Sequence, residues 1–273
     1  MDYLIYATAN KSTYADDFLN FLLMIKKHPG VSLVQILVVV SEIQSKSKYD
    51  EEVIRILKKE IEKHSHLNLL DVIFKSNIGR DFSSVKVGLE YLSKIVEGQA
   101  TIMVRNRSCF GPFMSNWYLV YKELLESNSN IAMVGNTINF SGLPDSKTDG
   151  PLTHIQTYVY MTPWSYISNL IEDFPGQNEV TWESIVNKGE IGLSQKALHN
   201  GYSIACFLWP DRLFNLQTSR APELPQSDIK ALVKDLPFLH RKNRSKRWFR
   251  LFKIVWFFIR IRVSVFLVLR HNK

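Results

Sequence analysis

Three short stretches carry side chains whose types and spacing suit chemistry on a phosphorylated ligand. The first is Ser76-Asn77-Ile78-Gly79-Arg80-Asp81-Phe82, set between an apolar run and a helical pattern. Gly79 can turn the chain through a positive φ, and the helix start beyond it can meet a phosphate or ribose. Asp81 can accept hydrogen bonds from a ribose or base, Arg80 can face a diphosphate, and Asn77 belongs to the same candidate surface. A helix N-cap followed by a solvated arginine would be written the same way.

The second stretch is Val104-Arg105-Asn106-Arg107-Ser108-Cys109-Phe110-Gly111-Pro112-Phe113. Its triplet Asn106, Arg107 and Ser108 holds no carboxylate, so Mg²⁺ or Mn²⁺ would lack its strongest oxygen ligand there. Arg107 can instead neutralise a leaving diphosphate directly, or stand as a solvated loop arginine. No residue is assigned to a metal and no cofactor is required by these residues, although a divalent cation stays open. The third stretch supplies proton chemistry. His154 and Gln156 open a strand that would face a cleft, and Glu190 precedes a helix, where it can take a proton from an attacking hydroxyl. A helix N-terminal carboxylate favoured by the macrodipole, and a structural histidine, are the alternatives. Asp173 is a second candidate base. Trp164, Trp182 and Trp209 offer flat faces for sugars, but packing explains tryptophans as well, and they receive no role.

These stretches must be positioned by regular elements, and the hydropathy pattern supplies them. Apolar runs at 3–7, 32–40, 67–74, 101–104, 131–134, 155–161 and 203–207 read as strands. Amphipathic segments at 16–27, 50–64, 85–96, 118–127, 163–172 and 191–199 read as helices. The alternation is that of β-α-β units, which predicts an α/β fold with a mostly parallel sheet covered by helices and ligands beyond the carboxyl ends of its strands. Residues 141–152 are rich in Gly, Pro and Asp and read as a loop, either a lid or an acceptor-side segment.

The chain of 273 residues carries a net charge of +8, a value that suggests nucleic acid until it is located. Residues 241–273 hold eleven Lys and Arg and no acid, leaving 23 basic against 26 acidic side chains elsewhere. On a helix, Lys246, Arg250, Lys253, Arg260 and Ser264 share one face while Trp248, Val255, Ile259 and Phe266 occupy the rest. Arg262 and Arg270 break the stripe. With Arg247 and Trp256, this is the composition of a helix lying on an anionic membrane surface, and the interior charges disfavour a span. A helix docked on protein is the alternative; a nucleic-acid arm is seldom so rich in Phe, Ile and Val. Cys109 and Cys206 suit buried thiols, and the N-terminus lacks a signal-peptide pattern, so the sequence predicts a cytoplasmic protein.

The motifs taken together resemble a known family. Asn77-Ile78-Gly79-Arg80-Asp81-Phe82, Asn106-x-Ser108-x-x-Gly111-Pro112, Val134-Gly135-Asn136-Thr137-Ile138-Asn139, His154-Ile155-Gln156-Thr157-Tyr158, Glu190-Ile191-Gly192-Leu193-Ser194 and Gly201-Tyr202 look like the rhamnan synthesis protein F type of bacterial glycosyltransferase, in order and spacing. The resemblance covers roughly residues 70–210 and implies a GT-A-like, Rossmann-type nucleotide-sugar domain; together with the composition it divides the chain into that domain over 1–217, a linker at 218–240 and the membrane-surface tail at 241–273. It implies transfer of a sugar from dTDP-rhamnose or a UDP-hexose to a lipid-linked glycan in O-antigen, capsule or rhamnan synthesis, at the inner face of the cytoplasmic membrane. In that reading Asn77, Gly79, Arg80, Asp81, Asn106, Arg107 and Ser108 bind the donor, His154 and Gln156 meet sugar or acceptor, Glu190 is the base, and no nucleic acid is bound. The family commonly has Asn-Asp-Ser where Asn106-Arg107-Ser108 stands here, and this departure keeps open the alternative of a non-catalytic, membrane-associated subunit of a polysaccharide-assembly complex.

Overall fold

The computed structural model describes residues 1–10, 14–142, 152–218, 222 and 236–241. The membrane-surface residues Lys246, Arg247, Trp248, Arg250, Lys253, Trp256 and Arg260 lie outside this range. Among the described residues, no helix is long and apolar enough to cross a membrane.

The chain opens with three parallel strands and their connecting helices. They are β1 (Asp2–Ala9), α1 (Ala15–Lys26), β2 (Val34–Glu42), α2 (Lys48–Ile61) and β3 (Leu67–Ser76), followed by α3 (Arg80–Leu92) and β4 (Thr101–Asn106). Helix α2 starts where Ser47 and Asp50 form a reciprocal capping box, which satisfies two of the orphan N–H groups of its first turn. The chain continues through β5 (Cys109–Phe110), α4 (Leu119–Glu126), β6 (Ile131–Gly135), β7 (Ile138–Asn139), β8 (His154–Ile155), β9 (Val159–Pro163) and α5 (Trp164–Ile167). A short helix α6 (Trp182–Ser184) runs into a π-helical segment, Ile185–Ile191, and then α7 (Gly192–His199), β10 (Ser203–Cys206), β11 (Trp209–Phe214) and β12 (Leu239–His240).

Eight strands form one sheet in the order β3-β2-β1-β4-β9-β6-β10-β11. The pairs β1/β2, β2/β3, β1/β4 and β6/β10 are parallel, whereas β9 runs antiparallel between β4 and β6. Both faces are covered, so the central strands are apolar on both sides. Ile5 of β1 points into one core with Leu37, Phe82, Val85 and Leu89 from the α3 side. Leu4 and Tyr6 point the other way, into a second core with Phe21, Met24, Trp117 and Tyr121. The chain leaves β1 for β2 on one side and returns as β4 on the other. This switch point opens a crevice beyond the carboxyl ends of β1 and β4.

The predicted strands and most helices appear, with differences that have physical reasons. Helix α3 begins at Arg80, earlier than the amphipathic pattern, because its first turn is polar and faces the crevice. The run at 155–161 divides into β8 and β9, since Gln156 and Thr157 turn towards the crevice between them. The pattern at 163–172 shortens to α5 and a 3₁₀ turn at Ser168–Leu170. Strands β5, β7 and β12 are two residues long, too short to leave a hydropathy signal. Residues 236–241, which the sequence assigns to the linker and the first tail residue, pack into the fold. Leu239 pairs with Phe110 and His240 with Cys109, antiparallel.

Candidate active site

At the crevice lies a cleft of about 830 Å³, bounded by the ends of β1, β2 and β4, the start of α3, the β7/β8 ladder and the π-helical segment. On its β4 wall, Asn106 Nδ2 donates to Asp81 Oδ2 at 2.6 Å while its Oδ1 accepts the Ser108 backbone N–H at 2.9 Å. Asn106 therefore fixes both Asp81 and the turn that follows β4. Burial pushes the Asp81 carboxyl above the ordinary carboxylate range; the hydrogen bond from Asn106 works against that shift, and the facing charge of Glu190 adds to it.

The turn before α3 is held by its shape. Gly79 takes φ +68°, and a Cβ there would stand 1.9 Å from the Gln177 carbonyl oxygen, so only glycine fits. Its N–H donates to the Glu179 carbonyl at 3.0 Å, which joins this turn to the far wall. Arg80 follows at φ 47°, a left-handed conformation costly for a residue with a Cβ and found most often at functional sites. Its carbonyl accepts from the Ser84 hydroxyl at 3.0 Å, and its side chain borders the cleft. Lys75 ties the turn from behind, donating to the carbonyls of Ser76 and Ile78 at 2.7 and 3.0 Å. Burial lowers its pKa to about 8. Asn77 is exposed on the cleft rim.

The far wall gathers the residues that the sequence offers as candidates for proton and acceptor chemistry. Glu190 stands on the π-helical segment with one carboxylate oxygen accepting the Thr157 hydroxyl at 3.0 Å and the other 3.6 Å from His154 Nε2. His154 is only 2% exposed, and its Nδ1 lies against the Leu152 carbonyl, the arrangement that leaves Nε2 to face the carboxylate. Gln156 accepts from the Thr137 hydroxyl at 2.6 Å and borders the same space. Glu190, His154 and Gln156 thus line one cleft with Asp81, Asn106 and Ser108. Asp173 does not join them. Its side chain is 93% exposed and pairs with Lys196 at 3.1 Å on another face. Of the three tryptophans considered, Trp209 is buried and Trp164 packs against the core, while Trp182 stands exposed on the cleft rim.

Arg107 occupies a position that the sequence did not show. Its Nη1 donates to the Ala9 carbonyl at 3.4 Å and its Nε lies 3.6 Å from Asp17 Oδ2. Asp17 is 4% exposed and already accepts from Tyr6 and Thr8 at 2.8 and 2.7 Å. Burial raises its pKa and Arg107 opposes that rise. A buried carboxylate needs a countercharge, and the arginine read as a diphosphate ligand supplies it while still bordering the cleft.

Sequence reasoning missed Arg105 altogether. It is fully buried, with its guanidinium donating to the carbonyls of Cys109 and Gly111 at 3.2 Å and lying 5.2 and 5.0 Å from the ring centres of Tyr6 and Phe238. Asn20 grips the same turn, donating to the Cys109 carbonyl at 2.9 Å and accepting the Gly111 N–H at 3.2 Å. An arginine directly after the apolar run at 101–104, where a strand continues, was the available signal. Thr157, His240 and Arg241, all bordering the cleft, were missed as well.

The side chains after β4 do not fit a hard divalent cation. Asn106 Oδ1 is taken by the Ser108 N–H, Arg107 is a cation, and Asp17 faces Arg107. Among the described residues, no group of three or more His, Cys, Asp or Glu side chains could hold a metal ion.

No family model and no curated protein matches the chain. Among solved structures, the mannosyltransferase PcManGT from Pyrobaculum calidifontis, in complex with GDP-Man and Mn²⁺, superposes with a TM-score of 0.51 at 9% identity, covering 80% of this chain and 58% of that one. The chain therefore spans less than two thirds of that protein's length. The nucleoside-diphosphate-sugar pyrophosphorylase from Vibrio cholerae RC9 gives 0.43 at 13% identity, over 74% of this chain and 91% of its own. Mouse xyloside xylosyltransferase 1 in its apo form gives 0.39 at 10% identity, over 74% and 81%. The mannosyltransferase likeness and the strand order agree with the α/β class expected from the sequence: a mixed, mostly parallel sheet flanked by helices, with a GT-A-like fold.

Proposed function

We propose that this chain is a glycosyltransferase that moves a sugar from a nucleoside-diphosphate donor to a hydroxyl of a glycan acceptor. The observation that carries the reading is the pairing of Asn106–Asp81 on one wall with Glu190, His154 and Thr157 on the other, across a cleft at the switch point of a GT-A-like sheet. Asp81, Asn77 and the Arg80 turn take the nucleotide end, and Asn106, Ser108 and Arg107 border the diphosphate. Glu190 accepts the acceptor proton as the new bond to the anomeric carbon forms and the nucleoside diphosphate departs with the electrons of the old one. His154 and Thr157 orient the carboxylate for that step. The donor set after β4 supports donor binding without a divalent cation.

The finer context follows from the family resemblance and the tail. The donor is dTDP-rhamnose or a UDP-hexose, the acceptor a lipid-linked glycan of a cell-surface polysaccharide, and the tail holds the protein on an anionic membrane surface. Calorimetric titration of the full chain with dTDP-rhamnose, UDP-hexoses and GDP-mannose, in Mn²⁺ or in EDTA, tests donor binding. One donor should bind in both. Glu190→Gln should keep that affinity and lose roughly 10²–10⁴-fold in turnover, the usual contribution of a general base. A folded chain that binds no nucleotide sugar would instead be the non-catalytic subunit.

A further inference from the structure

The strand β12 returns to the cleft from a distant part of the chain, and its anchoring is built from buried contacts. Phe238 is fully buried, its carbonyl accepts from Asn136 Nδ2, and its ring lies 5.0 Å from the Arg105 guanidinium. The Pro237 carbonyl accepts the Phe113 N–H at 2.9 Å. The next residues pair with β5, immediately after the Asn106-Arg107-Ser108 turn, and the Arg241 N–H donates to the Ser108 carbonyl at 2.7 Å. The His240 ring stands edge-on to Tyr158 at 5.3 Å, and both His240 and Arg241 border the cleft. A buried apolar anchor thus delivers an arginine to the turn that the sugar-transfer reading gives to the diphosphate.

The two arginines at this turn differ in what holds them. Arg107 is drawn to the buried Asp17, with its side chain 20% exposed. Arg241 is 55% exposed, and its contact with Asp16 is 3.9 Å long. A guanidinium so placed can offer two N–H groups to phosphate oxygens, the pairing that suits a planar fork. The turn itself carries no carboxylate to hold a metal, and its cationic side chains are the groups there that can meet the charge of the departing diphosphate.

We propose that β12 completes the diphosphate subsite and that Arg241 is its principal phosphate-binding side chain, an inference that rests on the sugar-transfer reading above. Arg107 then acts chiefly as the countercharge of Asp17.

The test is calorimetric titration of full-length wild type, Arg241→Ala and Arg241→Lys with UDP, dTDP and GDP and with the matching nucleosides. Arg241→Ala should lose roughly ten- to a hundred-fold in affinity for the preferred diphosphate, the size of a charge-assisted hydrogen bond pair, with nucleoside affinity unchanged. Arg241→Lys should recover part of the loss. The proposal is overturned if Arg241→Ala binds the diphosphate as wild type does, or if diphosphate and nucleoside weaken equally. Wild-type protein that binds no nucleotide at all would overturn the transferase reading and this inference together, whereas the first two outcomes leave the transferase reading standing.

Discussion

The turn after β4 and the segment 174–191 face each other across the cleft, and different forces hold them. The β4 turn is fixed by polar side chains reaching in from the core: Arg105 and Asn20 take the carbonyls of Cys109 and Gly111, and Asn106 locks Ser108 to Asp81. The far wall is fixed by close backbone packing. A Cβ on Gly176 would stand 2.6 Å from Gly189 Cα, and one on Gly189 would stand 2.7 Å from the Phe82 ring. Gly79 and Phe82 flank Asp81, which Asn106 holds, so the two walls meet at the start of α3. One wall is set by hydrogen-bond direction, the other by contact distance. That contrast decides how each should respond to substitution.

The largest effect should come from Arg105→Met, which keeps most of the side-chain volume but removes the donors to two buried carbonyls. Stripping the Gly111 carbonyl of both guanidinium bonds, and leaving the Cys109 carbonyl to Asn20 alone, should cost about 3 kcal/mol of stability, read by denaturant unfolding. An unchanged midpoint would break the polar account of the β4 wall.

Gly189→Ala should cost about 1–2 kcal/mol, since overpacking against Phe82 outweighs the gain in helix propensity. Phe82→Leu in the same chain should recover part of that loss, and a double-mutant cycle measures the coupling. Additive effects would show that contact distance does not hold this wall.

The smallest effect is expected at the seam. Asp81→Asn keeps a group that can accept from Asn106 but removes a charge that burial and the facing Glu190 both disfavour. It should stabilise the protein slightly wherever the wild-type carboxyl is ionised while weakening donor binding, the usual trade at a site where charge is kept for function. Because the folded-state pKa lies above the unfolded one, the destabilisation is present above the folded pKa. It fades as pH falls through that value towards the ordinary carboxylate range. The advantage of Asp81→Asn in thermal unfolding should therefore shrink as the buffer is acidified. A constant difference would remove Asp81 as its source.

Much of this arrangement was legible in the residues. The positive φ at Gly79 was expected from its place between strand and helix, and the strands β1, β2, β3, β4, β6, β9 and β10 each lie in or beside an apolar run. The convergence of His154, Gln156 and Glu190 on Asp81 and Asn106 followed from placing each after or before the right element. Other features left little trace. Glu190 precedes α7 as expected, but it stands on a π-helical turn whose width goes with the packing of Gly189 on Phe82, and no local pattern encodes that.

The sequence by itself determined the alternation of strands and helices, because two-sided burial writes apolar runs and one-sided burial writes amphipathic ones along neighbouring residues. It also placed the chemistry-bearing residues on the loops that a parallel sheet gathers at one end. Only the tertiary structure decided what each charge does. Arg107 faces Asp17, Arg105 is enclosed by carbonyls and rings, and Arg241 arrives on a strand that pairs with β5. A charged side chain takes its partner from what folding brings near and from how far water is excluded there, and neither is a property of adjacent residues.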